Sequence, residues 1–211
     1  MLIDKFIEFI NKNKPGYEPS VILDVGSRDL EQSLEFLSVY PKAKILAFEP
    51  NPNQTQIINS LVNESIRFFP IALGTVEGNA TLHTPPQDQN HGAGSLLVPH
   101  YSAIVQGYNT YSVPIRRLES ILSEEGISKV DIIWCDVQGF EIEVLKGMGK
   151  YLSGVDFIHA EATQQAYYNG QPLVRDIVKF LMENSFTAKE FSTPNYHPYG
   201  EGDLFVMKND A

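Results

Sequence analysis

ILDVGSRD, residues 22–29, decides the fold. The apolar run Val21 to Val25 passes through Asp24 and stops at Gly26, and a helical pattern begins within a few residues. A strand that turns at once into a helix opens a βα unit. In an open parallel sheet, ligands lie beyond the carboxyl ends of such strands. Gly26 lets the backbone approach a ligand, and Asp24 suits either organising the turn or accepting from an ammonium group. An ordinary tight strand-to-helix turn would carry the same letters. No second and third glycine follow, so the dinucleotide fingerprint is missing and an NAD or FAD enzyme is disfavoured.

Working outward, short apolar runs alternate with longer helical patterns. Leu30, Leu34 and Leu37 recur at helical spacing until Pro41, and Lys44 to Phe48 forms the second strand. Pro52 opens a helix with Ile57, Ile58, Leu61 and Val62 as its buried stripe, and Ile66 to Ala72 is the third strand. Residues 79–115 interrupt the pattern, with strands at Ala80 to His83 and Tyr111 to Ile115 around a loop rich in Pro, Gly, Asn and Gln. The alternation then resumes: helix Arg117 to Glu125, strand Asp131 to Asp136, helix Glu141 to Tyr151, strand Val155 to Glu161 and helix Pro172 to Asn184. Phe186 to Phe191 and Asp203 to Lys208 complete the set, and the short link between them makes the last strand antiparallel. The expected fold class is α/β: a Rossmann-like, seven-stranded, mostly parallel sheet with helices on both faces and an antiparallel last strand. We expect one domain over residues 1–211, with an N-terminal helix in 1–16 and inserted strands and a substrate loop in 79–115.

Composition narrows the function. A net charge of −10 among 211 residues argues against holding a nucleic-acid backbone, which requires a basic surface. Leu2, Phe6, Phe9 and Ile10 share one helical face with charges between them, unlike a signal peptide, and no apolar stretch nears the ~20 residues that span a bilayer. The single cysteine, Cys135, lies in an apolar run and cannot form an internal disulfide, so a cytoplasmic location and no membrane partner are expected.

Two further segments carry chemistry. In LAFEPNP, residues 46–52, Glu49 ends the second strand 25 residues after Asp24, where a carboxylate accepts both hydroxyls of an adenosine ribose. In IIWCDVQGFEIEVLKGM, residues 132–148, a strand ends at Asp136 and Gly139 precedes a helix. Asp136 either faces a cofactor or incoming nucleophile, or caps that helix.

Together with PIALG (70–74), VEGNATLH (76–83), GAGSL (92–96) and HAEA (159–162), these pieces make the chain resemble the FkbM family of S-adenosylmethionine-dependent methyltransferases from Val21 to Lys208. The resemblance implies O-methylation of a sugar, glycan or natural-product hydroxyl, with S-adenosylmethionine as cofactor. It implies cofactor contacts from Asp24, Gly26, Ser27 and Arg28, from Glu49, Pro50 and Asn51, from Ala72 and Leu73, and from Asp136, Gln138 and Gly139. The chain departs from the family at Leu30, where a second glycine is usual, and at Gln138, where an acid is usual. A lysine usual before the strand-end aspartate is also replaced in the Trp134–Cys135 pair.

Catalytic candidates at strand ends are Asp136, Glu161 and His159, with His91 in the long loop. By period two, His159 and Glu161 share a strand face with His159 deeper, which ranks Glu161 higher for contact. No metal ligands are assigned. Tyr101, Tyr108, Tyr111, Tyr167, Tyr168, Tyr196 and Tyr199, with Asn90, Asn109 and Asn195, offer stacking faces and amides for a sugar-like acceptor. Two other readings stand beside the enzyme: a cofactor-binding but catalytically silent interaction protein and, more distantly, a nucleotide-dependent oxidoreductase.

Overall fold

The computed structural model describes residues 2–86, 92–100, 107–193 and 200–209. Seven strands form the main sheet: β1 (Val21–Val25), β2 (Lys44–Phe48), β3 (Ile66–Phe69), β7 (Ile132–Cys135), β8 (Phe157–Ala162), β9 (Phe186–Ser192) and β10 (Gly202–Lys208), in the order β3-β2-β1-β7-β8-β10-β9. β3, β2, β1, β7 and β8 are parallel neighbours, while β10 runs antiparallel between β8 and β9. The order reverses direction at β1, which puts the switch point between β1 and β7.

Among the described residues, three helices cover each face, in keeping with the alternation. α1 (Leu2–Asn13), α2 (Glu31–Val39) and α3 (Pro52–Leu61) pack with Ile22, Ile45, Ile132, Trp134 and Phe205. α4 (Leu118–Glu124), α5 (Glu141–Gly147) and α6 (Val174–Glu183) pack with Leu23, Leu46, Ile133, Ile158 and Val206 on the other face. β7, buried throughout, reads as an unbroken apolar run, and β2 departs from one only at Lys44, because both faces of these strands are covered. Among the described residues, no helix is long and apolar enough to cross a membrane.

Several boundaries differ from the sequence expectation. The third strand stops at Phe69 because Pro70 has no N–H to donate, and Ala72–Leu73 becomes a separate strand, β4. β4 joins β5 (Gly78–Thr84) and β6 (Asn109–Arg116) in a second, three-stranded sheet of order β4-β6-β5. The helix expected to reach Tyr151 ends at Gly147, where a Cβ would lie 2.3 Å from the Gly74 carbonyl, and a 3₁₀ turn spans Gly149–Gly154.

Two apolar stripes differ as well. α2 buries Leu30, Ser33 and Phe36, while Leu34 is exposed. α3 buries Ile58 and Gln54, and Ile57, Leu61 and Val62 face outward. An outer helix beside the edge strand β3 has less sheet to cover, so one position per turn is enough.

α1 closes the first face through an aromatic cluster. Phe6 is fully buried, with ring centroids 5.8 Å from Trp134, 5.9 Å from His159, 5.2 Å from Phe205 and 6.5 Å from Phe36. Deleting a buried phenylalanine side chain costs about 3–5 kcal/mol. Urea denaturation should therefore show Phe6→Ala destabilised by about that amount, while Met182→Ala, at a 65% exposed position, stays near wild type.

Candidate functional site

Three strand ends meet at the switch point. Gly26, with φ 85°, sits immediately after β1, and its N–H and that of Ser27 both donate to the Phe48 carbonyl, at 2.9 and 3.0 Å. From the other side, the Asp136 N–H donates to the Val25 carbonyl at 2.9 Å. A Cβ on Gly26 would lie 1.8 Å from the Asp136 carbonyl oxygen, so no other residue fits without moving the loop after β7.

The turn into α2 then passes through Arg28 and Leu30, both left-handed, with φ 46° and 64°. Leu30 thus holds a glycine-like conformation where the family usually has glycine, and its side chain is fully buried in the first face. Asp24 is also buried. Ser33 Oγ donates to its Oδ2, and burial raises its carboxyl to about 7, against the pull of that bond. Asp24 Oδ1 and Ser27 Oγ are buried without a hydrogen-bond partner among the described residues.

Glu49 leaves the end of β2 with both oxygens held by backbone. Oε1 accepts from the Asn51 N–H at 2.7 Å and Oε2 from the Arg28 N–H at 3.0 Å. An ionised carboxylate offers about four acceptor positions, so these two bonds orient it without exhausting it. Burial raises its carboxyl to about 7 despite those donors. Asn51 is spent on α3, its Oδ1 accepting from the Asn53 N–H at 3.0 Å.

These ends open into a cleft. Gly26, Arg28, Glu49, Pro50, Asn51, Ala72, Leu73 and Asp136 line it, whereas Asp24, Ser27, Gln138 and Gly139 do not. Asp24 and Ser27 lie behind the first turn. Gln32 of α2, Ile71, Leu82, Gly94, Leu96, Trp134, Val137 and Phe140 also line the cleft, without a sequence signal that singles them out as ligand contacts. Leu82, the buried position of β5, is visible by alternation, but only tertiary folding brings the small sheet over the cleft.

Beyond Asp136 lies a cluster of acids. Glu141, the first residue of α5, holds the loop before it: its carboxylate accepts from the N–H of Gly139 at 3.0 Å and of Val137 at 3.2 Å, and burial raises it to about 7. Asp136 is left for the cleft and accepts at Oδ1 from Gln138 Nε2 at 3.0 Å. The same nitrogen donates to Glu161 Oε2. Gly139, Glu141, Glu161, Thr163, Gln171 and Glu201 surround a small recess beside it. Burial first, then the charges of Asp136, Glu201 and Glu141, push the Glu161 carboxyl well above its usual range.

His159 lies apart from both cavities. Its ring stacks on Trp134 at 3.6 Å, and its Nε2 lies 2.9 Å from Asp203 Oδ1. One step of period two toward the start of β8 carries it beneath α1, where it is buried against Phe6.

Of the expected acceptor-side residues, Tyr168 is buried with its hydroxyl donating to Gln138 Oε1 at 3.2 Å. Tyr111 Oη accepts from Asn53 Nδ2 at 3.0 Å, Tyr108 packs edge-on against His83, Tyr167 lies beside Tyr168, and Asn109 begins β6. Asn90, His91, Tyr101, Asn195, Tyr196 and Tyr199 lie outside the described residues.

With this geometry in hand, known proteins provide a comparison. The methyltransferase FkbM domain matches residues 24–188. The 2-O-methyltransferase NoeI of Sinorhizobium fredii (strain NBRC 101917 / NGR234) is 33% identical over 197 residues, covering 88% of this chain and 78% of that protein. Methyltransferase sdnD of Sordaria araneosa is 29% identical over 157 residues, 60% of each chain. Among solved structures, magnesium protoporphyrin IX methyltransferase (ChlM) from Synechocystis PCC 6803 with bound SAM superposes with a TM-score of 0.56 at 12% identity, over 99% of this chain and 78% of that one. That likeness bears on the fold.

The close approach at Gly26 is testable against a glycine that has room. Gly16 is also left-handed, with φ 73°, but a Cβ there meets nothing within 4 Å. Gly26→Ala should lose about 3 kcal/mol or more in urea denaturation, from clash and backbone strain together, and Gly16→Ala about 1 kcal/mol from backbone strain alone.

Proposed function

The chain belongs to the FkbM methyltransferase family, and we propose that it transfers the methyl group of S-adenosylmethionine to a hydroxyl oxygen on a sugar, glycan or natural-product acceptor. The observation that carries this reading is Glu49, an acceptor-only carboxylate oriented by two backbone amides at the rim of the cleft that Gly26, Ala72, Leu73 and Asp136 also line. The residues present suit that cofactor. Glu49 receives the ribose hydroxyls, and Ile71, Ala72, Leu73 and Leu82 supply an apolar shelf for adenine. The unpartnered Asp24 Oδ1 and Ser27 Oγ sit behind the turn that the methionine end approaches. Leu30 supports an active loop, because it keeps the backbone shape that a glycine would give.

When bound, the cofactor supplies an electrophilic methyl carbon on a sulfonium. The chain's residues do the rest. The cleft walls hold the acceptor hydroxyl in line with that carbon, which converts an encounter into an oriented, effectively intramolecular step. Asp136 faces the cleft and would take the hydroxyl proton as the acceptor oxygen gains the methyl group and the carbon–sulfur bond breaks to leave a neutral thioether, a contribution of about 100 to 10,000-fold. Glu161 backs Asp136 from the next strand. His159 has a packing role in this reading.

The charge of the surroundings narrows the acceptor. Residues 75–115, 161–174 and 191–207 contain neither Lys nor Arg, and Glu161 and Glu201 line the cavity next to Asp136. An anionic group beside the methylated hydroxyl would meet repulsion from Asp136, Glu161 and Glu201, with Arg28 on the β1–β2 side of the cleft, so a neutral or cationic acceptor fits. The same reading takes the chain as one methyltransferase domain in a reducing compartment, with residues 79–115 forming its acceptor-facing insertion.

A transfer screen with methyl-labelled S-adenosylmethionine tests this. Label should move to the oxygen of neutral or amino-bearing glycosides in preference to their phosphorylated counterparts. Asp136→Ala should lower turnover about 100-fold or more while keeping S-adenosylhomocysteine affinity. No transfer to any hydroxyl of the panel, or full turnover by Asp136→Ala, contradicts the proposal.

A further inference from the structure

Asp136 and Glu161 follow a register pair of adjacent parallel strands, Cys135 opposite Ala160, so two carboxylates stand side by side at the sheet's edge. Like charges so placed repel, and the groups around them only add to it. Glu141 faces the pair from α5, Glu201 from the segment before β10, and Tyr168 from the loop after β8. One side-chain nitrogen, that of Gln138, bonds both acids.

We propose that Gln138 is a positioning residue: its side-chain amide ties Asp136 to Glu161 and holds the Asp136 carboxylate facing the cleft to receive the acceptor's proton. The amide has two N–H hydrogens, one for each carboxylate. Its other end is fixed as well, because Oε1 accepts from the Tyr168 hydroxyl at 3.2 Å, which sets which way the amide points. The backbone is held too. Gln138 has φ 55°, a left-handed conformation, and its carbonyl accepts from Ser95 Oγ at 2.7 Å. Ser95 lies between the cleft-lining Gly94 and Leu96. One residue thus joins the loop after β7, the end of β8 and the Tyr168 segment through its side chain, and the Ser95 loop through its backbone carbonyl.

The residue type matters. A glutamate at this position would bring a third carboxylate and no donor, whereas the amide favours the ionised form of whatever it donates to. The high proton affinity of Glu161 fits a pair that shares one proton.

This inference rests on Asp136 as the proton acceptor, and its test needs no acceptor substrate. Carbon-13 labelled Asp and Glu side chains in the full chain give carboxyl titration curves, with Asp136→Asn and Glu161→Gln assigning the pair. Gln138→Leu and the equally sized Gln138→Glu should each raise the lower midpoint of the pair by about one pH unit or more. Affinity for S-adenosylhomocysteine, measured on the same samples, should stay near wild type, since Gln138 does not line the cleft. Unmoved midpoints in both variants would overturn the assignment. So would lost cofactor affinity with unmoved midpoints, which would make Gln138 a scaffold for the cofactor loop. Absence of turnover by the wild type bears on the methyl-transfer reading alone.

Discussion

The rest of the site depends on one close approach: the α-carbon of Gly26 lies so near the Asp136 carbonyl that a methyl group would lie 1.8 Å from that oxygen. Backbone bonds from Gly26 and Ser27 to Phe48 and from Asp136 to Val25 draw the ends of β1, β2 and β7 into one knot. Three consequences follow from geometry alone. The chain leaving β1 must turn left-handed through Arg28 and Leu30, the Arg28 N–H then reaches Glu49, and Asp136 is held on the opposite wall. A parallel sheet whose order reverses at β1 provides the crevice.

Charge is distributed in two ways around that crevice. On the β1–β2 side, carboxylates are oriented singly: Asp24 by Ser33 and Glu49 by two amides. On the β7–β8 side they are gathered, with Glu141 holding the loop before α5 and Asp136 and Glu161 joined through Gln138. Burial raises most of these groups, so the site stores protonatable carboxyls that a ligand with hydroxyl or ammonium donors would ionise.

Much of this is legible in the sequence, and the parts that are not share a cause. β1 and β2 have readable bounds because Gly and Pro punctuate both ends of each run, and Glu49 and Asp136 stand out because each ends a buried strand. The stripes of α2 and α3 escape periodicity, which reports which positions are apolar, whereas burial depends on how much sheet lies beneath. Glu141 gives no sign of bracing the loop before α5 because its carboxylate folds back to residues two and four positions earlier, a local bond with no repeating signal. His159 looks catalytic from strand position, and only α1, which is distant in the chain, shows it to be a core residue. Gln138 is conspicuous as a departure from the family, but its amide acquires meaning only when β8 and Tyr168 are brought beside it.

Calorimetric titration with S-adenosylhomocysteine tests the central claim, that Glu49 receives the ribose. Hydrogen bonds to a charged partner are worth about 1.5–3 kcal/mol net, so Glu49→Ala should weaken binding about 10 to 150-fold. Because the Glu49 carboxyl is raised to about 7 and the hydroxyls donate to its ionised form, wild-type affinity should rise between about pH 6 and about pH 8. Glu49→Gln, which cannot ionise, should bind with intermediate affinity and lose that part of the rise. Equal affinities for all three proteins, with the same pH dependence, would contradict the ribose assignment and the placement of the cofactor built on it.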